Sequence, residues 1–191
     1  MMRVTGGQAR GRRLKVPRGE AVRPTAARVK EALFNILPHD LSGLSVLELF
    51  AGTGSVAIEA LSRGAERALL VDASERSAEA IRNNLRQLGL APRARVRVAE
   101  ASQALRALER AGERFDIIFL DPPYDRGLAH GTLERIGRAE LLRPSGVVIA
   151  EHSVREKVEE AYGALALADR RRYGDTVLSF FRPRSRNEVT R

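Results

Sequence analysis

The sequence contains no cysteine. Disulfides and thiolate metal sites are therefore excluded. Histidine is nearly as scarce: His39, His130 and His152 are scattered and form no ligand cluster, so no metal is expected. No run of about 18 apolar residues occurs, so no membrane-spanning helix is expected. The start, Met1 to Gly7, lacks the apolar stretch of a secretory leader. These absences suit a cytoplasmic protein without membrane association. Acidic residues are almost missing from the first thirty positions. Glu20 stands there against nine Lys and Arg, so this segment carries +8 of the chain's +9. The excess is regional, since the other 161 residues sum to only +1. A basic arm on a near-neutral body is the footprint of a polyanion binder. Arg10, Arg12, Arg13, Arg23 and Arg28 are the candidate contacts.

What is present is enough for one α/β domain with a small appendage: 191 residues, of which 43% are hydrophobic. Residues 1–24 read as an irregular or hairpin arm of low apolar content, punctuated by Gly6-Gly7, Gly11, Pro17 and Pro24. Thr25 is placed to cap a helix reaching about Leu37, with Ala32, Leu33, Ile36 and Leu37 on one face. From Ser45 strand and helix patterns alternate. Strands are expected at Val46–Phe50, Arg67–Asp72, Arg95–Val98, Phe115–Leu120 and Gly146–Glu151. Helices are expected at Ser55–Arg63, Ser74–Leu88, Ser102–Ala111, Leu128–Leu142 and Val154–Ala161. Leu165–Tyr173 and Thr176–Arg182 flank Gly174-Asp175 as an antiparallel hairpin. The pattern predicts a doubly wound, mostly parallel sheet of seven strands with helices on both faces and an antiparallel C-terminal hairpin. Residues 1–38 form the basic arm and first helix, and residues 39–191 the sheet domain.

Chemistry is expected at Asp121-Pro122-Pro123-Tyr124. Neither proline can donate to a sheet ladder, so they end the strand and stiffen a corner. An exocyclic amine on a nucleobase is a poor nucleophile because its lone pair is delocalised. The Asp121 carboxylate and the Pro122 carbonyl could accept its two protons and favour a pyramidal nitrogen. Tyr124 could stack on the base, a task that does not need its hydroxyl.

Ligands of such sheets bind at the carboxyl ends of the central strands. Three features fall there. Glu48 to Ser55 holds a glycine turn, with Phe50, Gly52, Thr53 and Gly54 next to a helix N-terminus. Asp72, followed by Ala73, could accept from ribose hydroxyls. Glu100 could reach an adenine amino group beside the Ala101 backbone. Gly52 to Ala57 also fits a dinucleotide fingerprint, which leaves a nicotinamide enzyme as an alternative. Glu48 inside the first strand and the Pro-Pro corner instead favour S-adenosylmethionine, whose amino group and sulfonium profit from carboxylates.

Val46 to Ser55, Asp72, Glu100 and Asp121 to Tyr124 together resemble the class I S-adenosylmethionine-dependent methyltransferases of exocyclic amines. Gly6 to Leu14, then Arg23-Pro24-Thr25, Arg28, Glu31 and Leu33-Phe34-Asn35, resemble the RsmD family of bacterial 16S rRNA guanine-N2 methyltransferases. The resemblance implies a Rossmann-like fold, a guanine of 16S rRNA as substrate, S-adenosylhomocysteine as product and no metal. It implies that Asp121 and Tyr124 meet the target base, and that the helix start at Pro24-Thr25 closes over cofactor or substrate. Tyr124 stands where a Phe is often found, and Glu100 where many relatives have Asp or Asn. The expected partner is 16S rRNA within a 30S subunit, the expected state a monomer. A DNA adenine-N6 or cytosine-N4 methyltransferase and a non-catalytic RNA-binding assembly factor remain alternatives. The first usually needs a separate target-recognition region, for which the sheet leaves only the basic arm.

Overall fold

Five consecutive buried residues, Ser45–Leu49, make a strand that needs cover on both faces. In the computed structural model it has that cover. The structure describes residues 2–16, 24–124 and 127–184, with side chains in the first helix from residue 27 onward. The strands are β1 (Ser45–Leu49), β2 (Arg67–Asp72), β3 (Ala94–Val98), β4 (Phe115–Leu120), β5 (Leu142–Ser153), β6 (Ala161–Tyr162), β7 (Leu165–Tyr173) and β8 (Thr176–Pro183). They form one sheet in the order β3-β2-β1-β4-β5-β8-β7-β6. β1 to β5 pair in parallel, and β8 runs antiparallel between β5 and β7.

Among the described residues the α-helices are α1 (Pro24–Ile36), α2 (Ser55–Ser62), α3 (Glu75–Gln87), α4 (Ala101–Arg110) and α5 (Leu128–Arg138). Alternate residues of each central strand go to opposite faces. Val46, Ile117, Phe119 and Ile149 pack with α1, α2, α3 and the N-terminal segment, while Leu47, Leu49, Ile118 and Val148 pack with α4 and α5.

Several expectations are corrected. The sheet has eight strands, not seven; the addition is β6, two residues paired to Leu165 and Ala166. No helix spans Val154–Ala161. Ser153 holds a local turn there, its carbonyl accepting from Glu156 N and its hydroxyl from Arg155 N. Beyond it, Glu160 O accepts from Leu167 N and draws the chain to the sheet edge. Tertiary pairing overrides the local helical pattern. The helix expected to reach Leu142 stops at Arg138, because Leu141 enters the core and its carbonyl accepts from Phe115 N. α1 already includes Pro24, so Thr25 lies within the helix and does not cap it. Its buried face is Val29, Leu33 and Phe34, joined by Leu37 just past the helix end, while Ile36 is 41% exposed.

The N-terminal segment is docked. Met2, Val4, Ala9 and Leu14 are buried in the same cluster as α1, α2 and α3, with Arg3 bridged to Arg13. Gly7 has φ +72, and a Cβ there would lie 1.8 Å from Ser62 O. That approach lets Gln8 N and Ala9 N reach Ser62 O and Oγ at 2.9 Å each, satisfying the end of α2.

Candidate active site

The chain leaves β1 through a tight left-handed turn. Phe50 has φ +56, a conformation that costs a non-glycine residue on the order of 1–3 kcal/mol. Two bonds to β2 hold it: Ala51 N to Val71 O at 3.0 Å, and Gly52 N to Asp72 Oδ2 at 2.8 Å. Gly54 has φ +70, and a Cβ there would stand 2.8 Å from the tip of the Leu70 side chain, so glycine is favoured where α2 starts this close to β2. At Gly52 the space is open for 4 Å around the corresponding position. This is where a ligand can approach backbone directly.

Glu48 is buried, and its carboxylate accepts from Ala57 N at 2.8 Å and Val56 N at 3.3 Å. The amides of the second and third residues of α2 are thus taken by a carboxylate of the chain itself. A dinucleotide's pyrophosphate would compete with Glu48 for those donors, which counts against the nicotinamide reading. Burial pushes the Glu48 carboxyl up to about 8. The two amides oppose the shift, the Asp121 carboxylate adds to it, and Lys30 acts against it.

Asp72 lies at the end of β2, its second oxygen accepting from Ser74 N at 2.8 Å. It therefore braces the glycine turn with one oxygen and starts α3 with the other. Ala73 is exposed beside it. Glu100 is exposed at the N-cap position of α4 with no capping bond from its side chain, and Ala101 is buried behind it. Ala99 N bonds to Asp72 O at 3.0 Å, which ties these two strand ends together.

After β4, Asp121 is half-buried, Pro122 buried, Pro123 exposed and Tyr124 half-buried. A cavity between this corner and the glycine turn is lined by Glu48, Phe50, Gly52, Thr53, Asp121 and Glu151, with Lys30 and Met2 at its wall. Asp72, Ala73, Glu100 and Ala101 do not line it; they occupy the next strand ends, at β2 and β3. Glu151 was not anticipated. Its signal is the one that marks Glu48: an acid on an otherwise apolar buried strand, Val147 to Ala150. Among the described residues no group of His, Cys, Asp and Glu could hold a metal ion, and no helix is long and apolar enough to cross a membrane.

The basic arm divides into two kinds of cation. Arg10, Arg12 and Arg13 are exposed on the N-terminal segment and Arg28 on α1. Arg23 and the Thr25 side chain lie outside the described residues. Lys30, by contrast, is 4% exposed and donates to Glu59 at 3.0 Å and to Arg3 O. Glu59 also accepts from Thr5 N and Oγ1, Gly6 N and Arg63 Nε, at 2.7–3.0 Å. Burial opposes its charge, but Lys30 and the Thr5 donors outweigh burial and hold the carboxyl below its ordinary value. Lys30 is therefore structural, a buried partner with little left for a polyanion.

The sheet order, the reversed β8 beside β5 and the glycine turn among carboxylates define a methyltransferase of the Rossmann-like class. Solved yhhF of Escherichia coli superimposes with a TM-score of 0.83 at 32% identity, covering 97% of this chain and 99% of that one. YlbH of Bacillus subtilis (strain 168) is 36% identical over 183 residues, 96% of this chain and 100% of that protein. Ribosomal RNA small subunit methyltransferase D of Escherichia coli (strain K12) is 37% identical over 153 residues, 80% of this chain and 75% of that protein. The family model described as conserved hypothetical protein 95 matches residues 2–182. The chain belongs to the RsmD family of methyltransferases.

Proposed function

We propose that the protein transfers a methyl group from S-adenosylmethionine to the N2 amine of a guanine in 16S rRNA, in the assembled or assembling 30S subunit. One observation carries the reading: Asp121, at the Pro-Pro corner, faces the same cavity as the glycine turn and Glu48. The residues present fit the cofactor. Three carboxylates, Glu48, Asp121 and Glu151, line the cavity, and Lys30 at its wall is engaged by Glu59. That field suits a ligand carrying a sulfonium and an ammonium group. When bound, the cofactor supplies an electrophilic methyl group.

The chain's own residues do the rest. Asp72, Glu100 and Ala101 supply polar contacts at the neighbouring strand ends, and Phe50 and Gly52 present the turn to the ligand. A guanine must leave its stack to reach the corner. Tyr124 receives the extruded base face to face. Asp121 and the Pro122 carbonyl accept from the amine as it pyramidalises, and Asp121 takes the proton that the new N–C bond displaces. Residues 1–38 bind RNA through Arg10, Arg12, Arg13, Arg23 and Arg28 and cover part of the site near Thr25. Residues 39–191 carry the transfer. The protein works as a cytoplasmic monomer.

The test is incubation of 30S subunits from an unmodified strain with labelled S-adenosylmethionine, followed by nucleoside analysis. Label in N2-methylguanosine is expected. Label confined to methylated adenine or cytosine would overturn the guanine assignment, and no turnover on any RNA would favour an assembly factor.

A further inference from the structure

Tyr124 is held at both ends. Its backbone follows two prolines, and its hydroxyl lies 3.3 Å from Glu151 Oε1 and 3.3 Å from Thr176 Oγ1. These two partners belong to different strands. Glu151 sits on β5 and Thr176 begins β8, which pairs with β5 through Ser153↔Thr176 and Glu151↔Leu178. Residues directly opposite in an antiparallel pair share a face, so Glu151, Ser153 and Thr176 all project to the side that holds the cavity.

The donors can be assigned by chemistry. The phenol donates to Glu151 Oε1. The phenol oxygen is then left to accept from the Thr176 hydroxyl. The order is Thr176 to Tyr124 to Glu151. Glu151 is 8% and Thr176 6% exposed, so water competes little for these bonds. A stacking ring has two side-chain torsions. Fixing the far hydroxyl as well as the backbone leaves the ring plane little freedom, and the base that stacks on it inherits that plane.

We propose that Glu151 and Thr176 are positioning residues that set the plane of the Tyr124 ring through its hydroxyl, and so orient the target amine towards the methyl donor. The proposal rests on the methyl-transfer reading above. It gives Tyr124 a need for its phenol that stacking alone does not create. Both oxygen–oxygen distances exceed the usual 2.5–3.0 Å of such bonds, so each bond is weak and each partner should matter by a modest factor.

The experiment is single-turnover transfer to 30S subunits with Thr176→Val, Thr176→Ser, Tyr124→Phe and the Thr176→Val/Tyr124→Phe pair. Glu151→Ala and Glu151→Gln are run alongside. Thr176 does not line the cavity, so cofactor affinity by calorimetry should be unchanged in its variants. Thr176→Val should slow the transfer step by about threefold to tenfold, the scale of one lost hydrogen bond. Thr176→Ser should restore it. Glu151→Gln, which keeps an acceptor, should be milder than Glu151→Ala. In the Tyr124→Phe background Thr176→Val should add nothing. A Tyr124→Phe enzyme as fast as the parent, or a full Thr176→Val effect persisting in that background, overturns the proposal. Ring NMR of protein with labelled tyrosine gives a second reading that needs no activity: the Tyr124 signals should shift and broaden in Thr176→Val. A parent that transfers no methyl group refutes the functional reading, whereas unchanged Tyr124 signals refute the positioning role by themselves.

Discussion

Cofactor affinity should rise with pH through Glu48. The carboxyl is buried against the Val56 and Ala57 amides of α2 and pushed up to about 8, chiefly by burial. Below that pH it is neutral in the free protein, yet a sulfonium in the cavity favours its charged form. Binding should therefore release one proton. Affinity should fall about tenfold per pH unit as pH drops below 8, since each unit is about 1.4 kcal/mol of proton removal. Between about pH 7 and 5.5, where the ligand's own α-amino group stays protonated, the loss should be about thirtyfold. Titration calorimetry in two buffers of different ionisation enthalpy counts the proton directly. Glu48→Gln should bind weakly with a flat profile. The same shift governs stability. The folded carboxyl lies above its ordinary 4.5, so the fold prefers it protonated. That contribution is fully present below pH 4.5 and is lost as pH rises through about 8. Glu48→Gln should then melt higher than the parent at pH 8.5 while binding less cofactor. A flat affinity profile in the parent, with no proton released, would refute the reasoning.

Asp121→Ala should lower the transfer rate on the order of a hundredfold, measured by single turnover at saturating cofactor so that the loss of one cavity carboxylate does not enter. Asp72→Ala should weaken cofactor binding by roughly 1–3 kcal/mol by calorimetry, through lost ligand bonds and a glycine turn released from Gly52 N. Replacing Arg10, Arg12 and Arg13 with Ala should weaken RNA binding and flatten its dependence on salt, with cofactor affinity unchanged; an unaltered salt slope would remove the arm from RNA contact. Glu59→Ala leaves Lys30 buried without its partner and should cost about 3–5 kcal/mol in denaturant unfolding.

The central strands were legible because each is an unbroken apolar run ended by a turn signal, as Phe115 to Leu120 is ended by Pro122-Pro123. Glu48 stood out for a related reason, being an acid where the run should be apolar. Glu151 carries the same mark but sits at the end of the expected strand, where an acid is unremarkable, although β5 continues to Ser153. Local pattern failed where partners are remote. Met2, Val4, Ala9 and Leu14 have no regular period, and their burial depends on α2 and α3. Lys30 counts as surface charge in any sequence window, and only the fold brings Glu59 to it, 29 positions away. The segment after Val154 has helical spacing, but β7 offers its backbone a sheet edge and takes it.

The docked N-terminal segment has a consequence for the order in which the chain is secured. Thr5 and Gly6 wait for Glu59, Gln8 and Ala9 for Ser62, and Lys15 for Asn84, 69 positions downstream. During synthesis at roughly 5–20 residues per second, the part made first has nothing to close upon for several seconds. Its contacts span long stretches of chain, so they form after the local strand–helix units. Substitutions at Gly7 or Asn84 should accordingly quicken unfolding and barely slow refolding, the behaviour of contacts absent from the transition state.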